Sequence, residues 1–248
     1  MTDAGIPSRA AALSTPFLCS DKSLLHPNAF NERTMIMKSY GKLTAGLVVA
    51  WFIFALSASA LHWFRNDAQR VGLAVAAAAL IPLVIFAVWF GASEPFRRFA
   101  LSLNPRILTF AQTWRLLGIV FVVLEARHLL PAVFALPAGY GDIFIGATAW
   151  LVAWKLATPH HRASFIVWQL LRTLDLVTAV SLGTTARLID VGGPTMLPMT
   201  VLPLSLVPTF LVPLFFIFHV ISIAQARKWA ATSVRGSHVL NTGTGLAI

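Results

Sequence analysis

Long apolar runs alternate along the chain with short polar connections rich in Arg and Pro. A helix that crosses a bilayer needs about 20 mostly apolar residues. Six segments approach or meet that length: Leu43–Phe64, Val71–Ala92, Trp114–Leu130, Ala138–Trp154, Ser164–Thr185 and Val201–Ile223. The third and fourth are shorter and are joined tightly through Pro131 and Pro137. They read as a helical hairpin, with a re-entrant pair as the alternative. The pattern predicts an all-α integral membrane bundle of six helices over residues 43–223, a disordered N-terminal tail over 1–42 and a C-terminal tail over 224–248. Pro7, Pro16 and Pro27 punctuate the N-terminal tail, and Met35 or Met37 is an alternative start to Met1. Ala58–Ser59–Ala60 has the small residues of a leader cleavage site, yet the apolar run around it is longer than a leader core, so it is read as a span.

Composition supports the membrane class. Of the 248 residues, 57% are hydrophobic and 11% charged, whereas a soluble domain carries about 25% charged residues. The formal net charge of +10 would suit nucleic acid, but basic residues also gather in cytoplasmic loops of membrane proteins, so no nucleic-acid partner is expected. With the N-terminus inside, the inner flanks hold Arg33, Lys38, Lys42, Arg97, Arg98, Arg106, Lys155, Arg162, Arg227, Lys228 and Arg235, and the outer flanks hold Arg65, Arg70 and Arg187. That asymmetry predicts cytoplasmic termini. The connection Ser93–Thr113 is long enough for a short surface helix whose Arg97, Arg98 and Arg106 could meet anionic lipid or serve only to orient the chain. Cys19 is the single cysteine, which excludes an internal disulfide and any multi-cysteine metal centre.

Charged residues inside spans are the informative ones, because each costs about 2.5–3.5 kcal/mol at a helix centre on insertion scales. In the fifth span Arg172 and Asp175 stand three apart on one helix face, a spacing that allows an ion pair, with Trp168 one turn earlier. At about 1.5 Å per residue Asp175 lies roughly 17 Å deep. The third span carries Arg115 at its inner end, with Glu125 about 15 Å further along. Glu125 could join Arg172 and Asp175 in a cluster with a proton-carrying carboxylate, or pair locally with Arg127 or His128. Ala138, Asp142, Gly146, Ala149 and Ala153 form a small-residue stripe that permits close helix approach. Asp142 itself could cap the start of the fourth span. Grouped with His62 and His128 at one depth, it could instead hold a divalent metal.

Pro198, Pro203, Pro208 and Pro213 break the sixth span at intervals of five. Pro208 and Pro213 free the carbonyls of Leu204 and Thr209, which could serve an ion or substrate or bond to neighbouring helices. His219 follows as a lone intramembrane histidine. The tandem His160–His161 reads as solvated. No internal repeat, P-loop, zinc-protease motif or nucleophile elbow is present.

Gln112–Thr113–Trp114–Arg115, Leu130–Pro131 and the run from Ala135 through Gly139, Asp142 and Gly146 resemble a pattern in uncharacterised bacterial multi-pass inner-membrane proteins. The ending from Leu206 through Pro208 and Pro213 to His219 is similar too. The resemblance spans roughly residues 95–225; it implies six spans in a bacterial inner membrane and supplies no mechanism. The expected function is a transporter-like protein for a small solute or proton, with Arg172, Asp175, Glu125, Arg115 and Trp168 at its site and no cofactor. The alternatives are a metal or haem redox protein using His62, His128, Asp142 or His219, and a structural or assembly subunit. No activated nucleophile points to an enzyme.

Overall fold

The computed structural model describes residues 27–65 and 72–243, and all regular structure among them is helical. The order is α1 (Pro27–Ala60), α2 (Leu73–Ala92), α3 (Glu94–Ser102), α4 (Pro105–Phe110), a 3-10 segment Ala111–Gly118, α5 (Ile119–Ala126), α6 (Ala132–Leu151), a π turn Val152–Leu156, a 3-10 turn Pro159–His161, α7 (Arg162–Ile189), a 3-10 turn Leu197–Thr200, a π turn Val207–Leu211 and α8 (Val212–Gly243). Six stretches are long and apolar enough to cross a membrane: Met37–Ala60, Leu73–Ala92, Pro105–Ala126, Ala132–Leu156, Pro159–Ile189 and Val207–Trp229. Short connections make successive spans antiparallel neighbours. The span ends at Ala60 and Leu73, at Ala126 and Ala132, and at Ile189 and Val207 therefore share one face, the loop face. The outer ends of α1 and α8 share the other, the terminal face.

Helix α1 begins at Pro27, so it takes in residues 27–42 that the sequence assigns to a tail, while residues 1–26 lie outside the described part. Helix α8 likewise runs on to Gly243. The third span starts at Pro105, nine residues before the expected Trp114. Asn104 caps it by accepting from the Arg106 N–H at 2.9 Å, and Pro105 occupies the first turn, where a missing N–H costs nothing. This shift moves Arg115 from the inner end of the span to its middle, and Glu125 from the middle to its last turn. The fourth span also starts early, at Ala132 after Pro131, which places Asp142 halfway along it. Asp142 is therefore no cap. The sixth span starts at Val207 and not at Val201, because Pro198, Pro203 and Pro208 leave 201–206 as turns.

The expected surface helix between spans two and three is α3. Ser93 caps it by accepting from the Phe96 N–H at 3.3 Å. Phe96, buried beneath it, stacks on Trp89 at 4.0 Å between centroids. Buried Gln225 of α8 donates to the carbonyls of Leu103 at 2.6 Å and Leu101 at 3.3 Å, which ties the end of α3 to the bundle.

Helix α6 is the centre of packing, and its closest neighbour is the 3-10 segment Ala111–Gly118. Small residues allow this approach. A Cβ on Gly146 would come to 2.6 Å from the Leu116 backbone N, and one on Gly139 to 2.7 Å from Val122 Cγ2. Ala138, Ala149 and Ala153 of the same stripe are buried. Gly146→Leu should therefore cost about 1–3 kcal/mol as overpacking, read as a lower thermal midpoint in detergent. Gly91→Ala, whose added Cβ would meet no neighbouring heavy atom within 4 Å, should change the stability by no more than about 1 kcal/mol.

Candidate functional site

The centre of the bundle is an arginine held between two aspartates from different helices. Arg115 Nε donates to Asp142 Oδ1 of α6 at 2.5 Å, and its Nη2 donates to Asp175 Oδ2 of α7. All three residues lie midway along their spans. Arg115 is sealed, with 3% of its side chain exposed, whereas Asp142 keeps 18% and Asp175 15%. Glycine again makes room: a Cβ on Gly141 would collide with the Asp175 carboxylate. Holding one guanidinium against two carboxylates offsets the large cost of bringing each charge out of water.

Arg172 does not pair with Asp175, as the sequence spacing suggests. Long side chains on a helix lean towards its N-terminus, which carries the Arg172 guanidinium away from Asp175 and over the ring of Trp168, 5.1 Å from its centroid. Trp168 is anchored in turn by donating to Thr148 Oγ1 at 3.1 Å. Arg172 is fully buried and donates to Ser222 Oγ at 3.4 Å, while its Nε and Nη1 have no hydrogen-bond partner among the described residues. Arg115 and His219 lie nearby. The buried Gln112 and Gln169 side chains and His219 Nε2 are likewise without such a partner, and His219 Nδ1 bonds the Phe215 carbonyl. The terminal half of the bundle thus encloses unusually polar side chains.

The other half is hollow. A cavity of about 1150 Å³ extends from the loop face to the middle of the bundle. Arg115 and Asp142 form its floor, and Ser181, Thr184, Arg187 and Thr195 stand near its rim. Between them the lining is overwhelmingly apolar, contributed by α2, α5, α6, α7 and the residues from Met196 to Phe216.

Glu125 lies in the last turn of α5, half-buried, and makes no salt bridge among the described residues; it does not join the cluster. His62 and His128 adopt left-handed backbone, with φ of 58° and 56°. Each occupies the residue after a helix end in a Schellman motif. His62 N–H bonds Ser59 O at 3.1 Å and Trp63 N–H bonds Ala58 O at 2.9 Å; His128 and Leu129 repeat the pattern on Glu125 and Leu124 at 2.7 and 2.8 Å. Among the described residues no three of His, Cys, Asp or Glu come together as a metal site. The structure therefore does not gather His62, His128, Asp142 and His219, and Asp142 is engaged by Arg115. On α3, Arg98 pairs with Glu94 at 2.5 Å, a hydrogen bond and charge that hold the Glu94 carboxyl below its usual range. Arg97 reaches the Gly91 carbonyl at 3.2 Å, and Arg106 is exposed.

The carbonyl of Thr209 freed by Pro213 accepts from Trp51 Nε1 at 3.2 Å, and that of Leu204 accepts from the Val207 N–H at 2.9 Å. Sequence reasoning gave no site role to Gln112, Gln169 and Ser222. Their signal is a spacing of three: Gln112 and Arg115; Gln169, Arg172 and Asp175; His219, Ser222 and Gln225. Each set marks one polar face on an otherwise apolar helix.

A family model described as Domain of unknown function (DUF8737) matches residues 68–227. No curated protein and no solved structure matches the chain.

The central ion cluster makes an asymmetric prediction. Arg115→Met strands two carboxylates and should cost about 3–5 kcal/mol, seen as loss of monodisperse protein in detergent. Asp142→Asn or Asp175→Asn alone leaves Arg115 one partner and should cost clearly less.

Proposed function

The chain belongs to the DUF8737 family, whose function is unknown, and on the geometry of its own site we propose a transporter-like role in a bacterial inner membrane, with both termini in the cytoplasm. A solute or proton is bound where Arg115 meets Asp142 and Asp175. One observation carries this reading: Arg115 and Asp142 of a midspan ion cluster form the floor of a cavity open at the loop face, while buried polar side chains continue beyond it towards the terminal face. A purely structural ion pair needs no access path. Here Asp142 and Asp175 keep partial exposure, and Arg172, His219 and Gln169 extend a polar route that lipid would reject. A proton arriving at either aspartate neutralises it and weakens its hold on Arg115. The three spans that meet there are thereby freed to shift. Arg172 supplies the fixed positive charge of the closed half. The orientation rests on the Lys and Arg distribution, and exposed Arg98 and Arg106 then face the anionic inner leaflet.

The test is two-sided accessibility. With Cys19→Ser as background, Thr184→Cys reports the cavity rim and Ser222→Cys the closed half. A membrane-impermeant maleimide should label Thr184→Cys from the loop face. Ser222→Cys should become reactive from the terminal face in part of the population as pH is changed, with a matching fall at Thr184→Cys. A Ser222→Cys that stays unreactive at every pH from 5 to 9, roughly the span over which perturbed carboxylates titrate, with Thr184→Cys labelled throughout, would show a static protein and overturn the transporter reading.

A further inference from the structure

The cavity has more to say about what it accepts. Its volume of about 1150 Å³ exceeds the roughly 300–1,000 Å³ of ordinary small-molecule pockets. Between the polar groups near its rim and the floor its walls are overwhelmingly apolar, which offers a small polar solute few hydrogen bonds along the way. The lining is rich in aromatic rings: Trp114, Phe121, Phe134 and Phe216 all contribute. Such faces attract cations as well as apolar groups. The walls include α2, no residue of which is buried, and α2 and α7 share no extensive contact. A guest can therefore also be apolar enough to arrive through the bilayer.

The floor decides the sign of its charge. Arg115 is sealed and its remaining nitrogen, Nη1, is buried. Asp142 spends one oxygen on Arg115 yet keeps 18% of its side chain exposed. What the floor presents is thus a carboxylate oxygen, an acceptor. The other ionisable group among the lining residues, Arg187, stands near the rim, about 18 Å along α7 from Asp175 at 1.5 Å per residue.

We propose that the cavity binds an amphipathic cation, a molecule with a bulky apolar body and one positive centre, seated with that centre against Asp142 and its body among the aromatic rings. This rests on the cavity being the substrate path of the preceding reading, and it names the class of substrate. The bound cation takes up the spare charge of Asp142 without disturbing the bond from Arg115 to Asp142 Oδ1.

Two probes of one shape and opposite charge test it: tetraphenylphosphonium and tetraphenylborate. Binding is measured by equilibrium dialysis on the full chain in detergent, with Ala79→Trp, which puts a large side chain into the cavity from α2, as the reference for uptake by the micelle. The component removed by Ala79→Trp should favour the phosphonium by about tenfold or more. Asp142→Asn should weaken the phosphonium about tenfold. Because that change also touches the ion cluster, Trp114→Leu provides a second reading on an exposed side chain: it should weaken the phosphonium several-fold and the borate clearly less. Preference for the borate in the Ala79→Trp-sensitive component would overturn the cation assignment and leave a substrate path of the opposite charge. Absence of any Ala79→Trp-sensitive binding would overturn the cavity as a ligand site for this class, whereas the cysteine labelling pattern decides the transporter reading separately.

Discussion

A charged group inside an apolar bundle needs a partner, and that requirement organises this protein around Arg115. Taking a guanidinium or a carboxylate out of water costs several kcal/mol per ion even after relaxation. The cost falls most when opposite charges meet at hydrogen-bonding distance. Arg115 meets Asp142 and Asp175 at once, so three spans must converge at one depth. The glycines of α6 follow from the same need. Gly139 and Gly146 let the 3-10 segment carrying Arg115 touch the α6 backbone, and Gly141 clears space for the Asp175 carboxylate. The tighter 3-10 winding over Ala111–Gly118 accompanies this contact.

From that level the bundle divides into two unlike halves. Towards the loop face the helices splay around an apolar hollow, and towards the terminal face they close over buried amides, a guanidinium and an imidazole. Neither half alone explains the other. A structural lock would need no hollow, and a passive hydrophobic hollow would need no buried guanidinium beyond its floor. Together they make the ion cluster a boundary between an open compartment and a closed one. That arrangement suits a protein in which access changes sides.

Much of this was legible in the amino-acid pattern. The number and rough position of the spans followed from hydropathy, because a bilayer sets helix length so strictly. The small-residue stripe on α6 was also readable, since spacing alone places those residues on one face. The pairing was not. Arg172 and Asp175 sit one turn apart, but the lean of side chains along a helix separates their charged ends, a three-dimensional effect that spacing does not carry. The depth of Arg115 was not legible, because Arg106, Gln112 and Thr113 interrupt the apolar run and draw the expected start of the third span to Trp114. His62 and His128 drew attention as possible ligands, whereas their backbone places them at helix ends in left-handed geometry, a position more often taken by glycine.

The helix α1 changes what counts as the unit of this fold. The family match covers residues 68–227, and α1 ends at Ala60. Yet Trp51 supplies the donor for the Thr209 carbonyl that Pro213 leaves without its helical partner, and Ser59 receives the hydrogen bond of buried Ser205. In lipid no water replaces such partners. The boundary drawn by similarity therefore cuts through a single hydrogen-bonding circuit. The first helix is a splint for the proline-broken one, and the segment with family kinship is chemically incomplete without it.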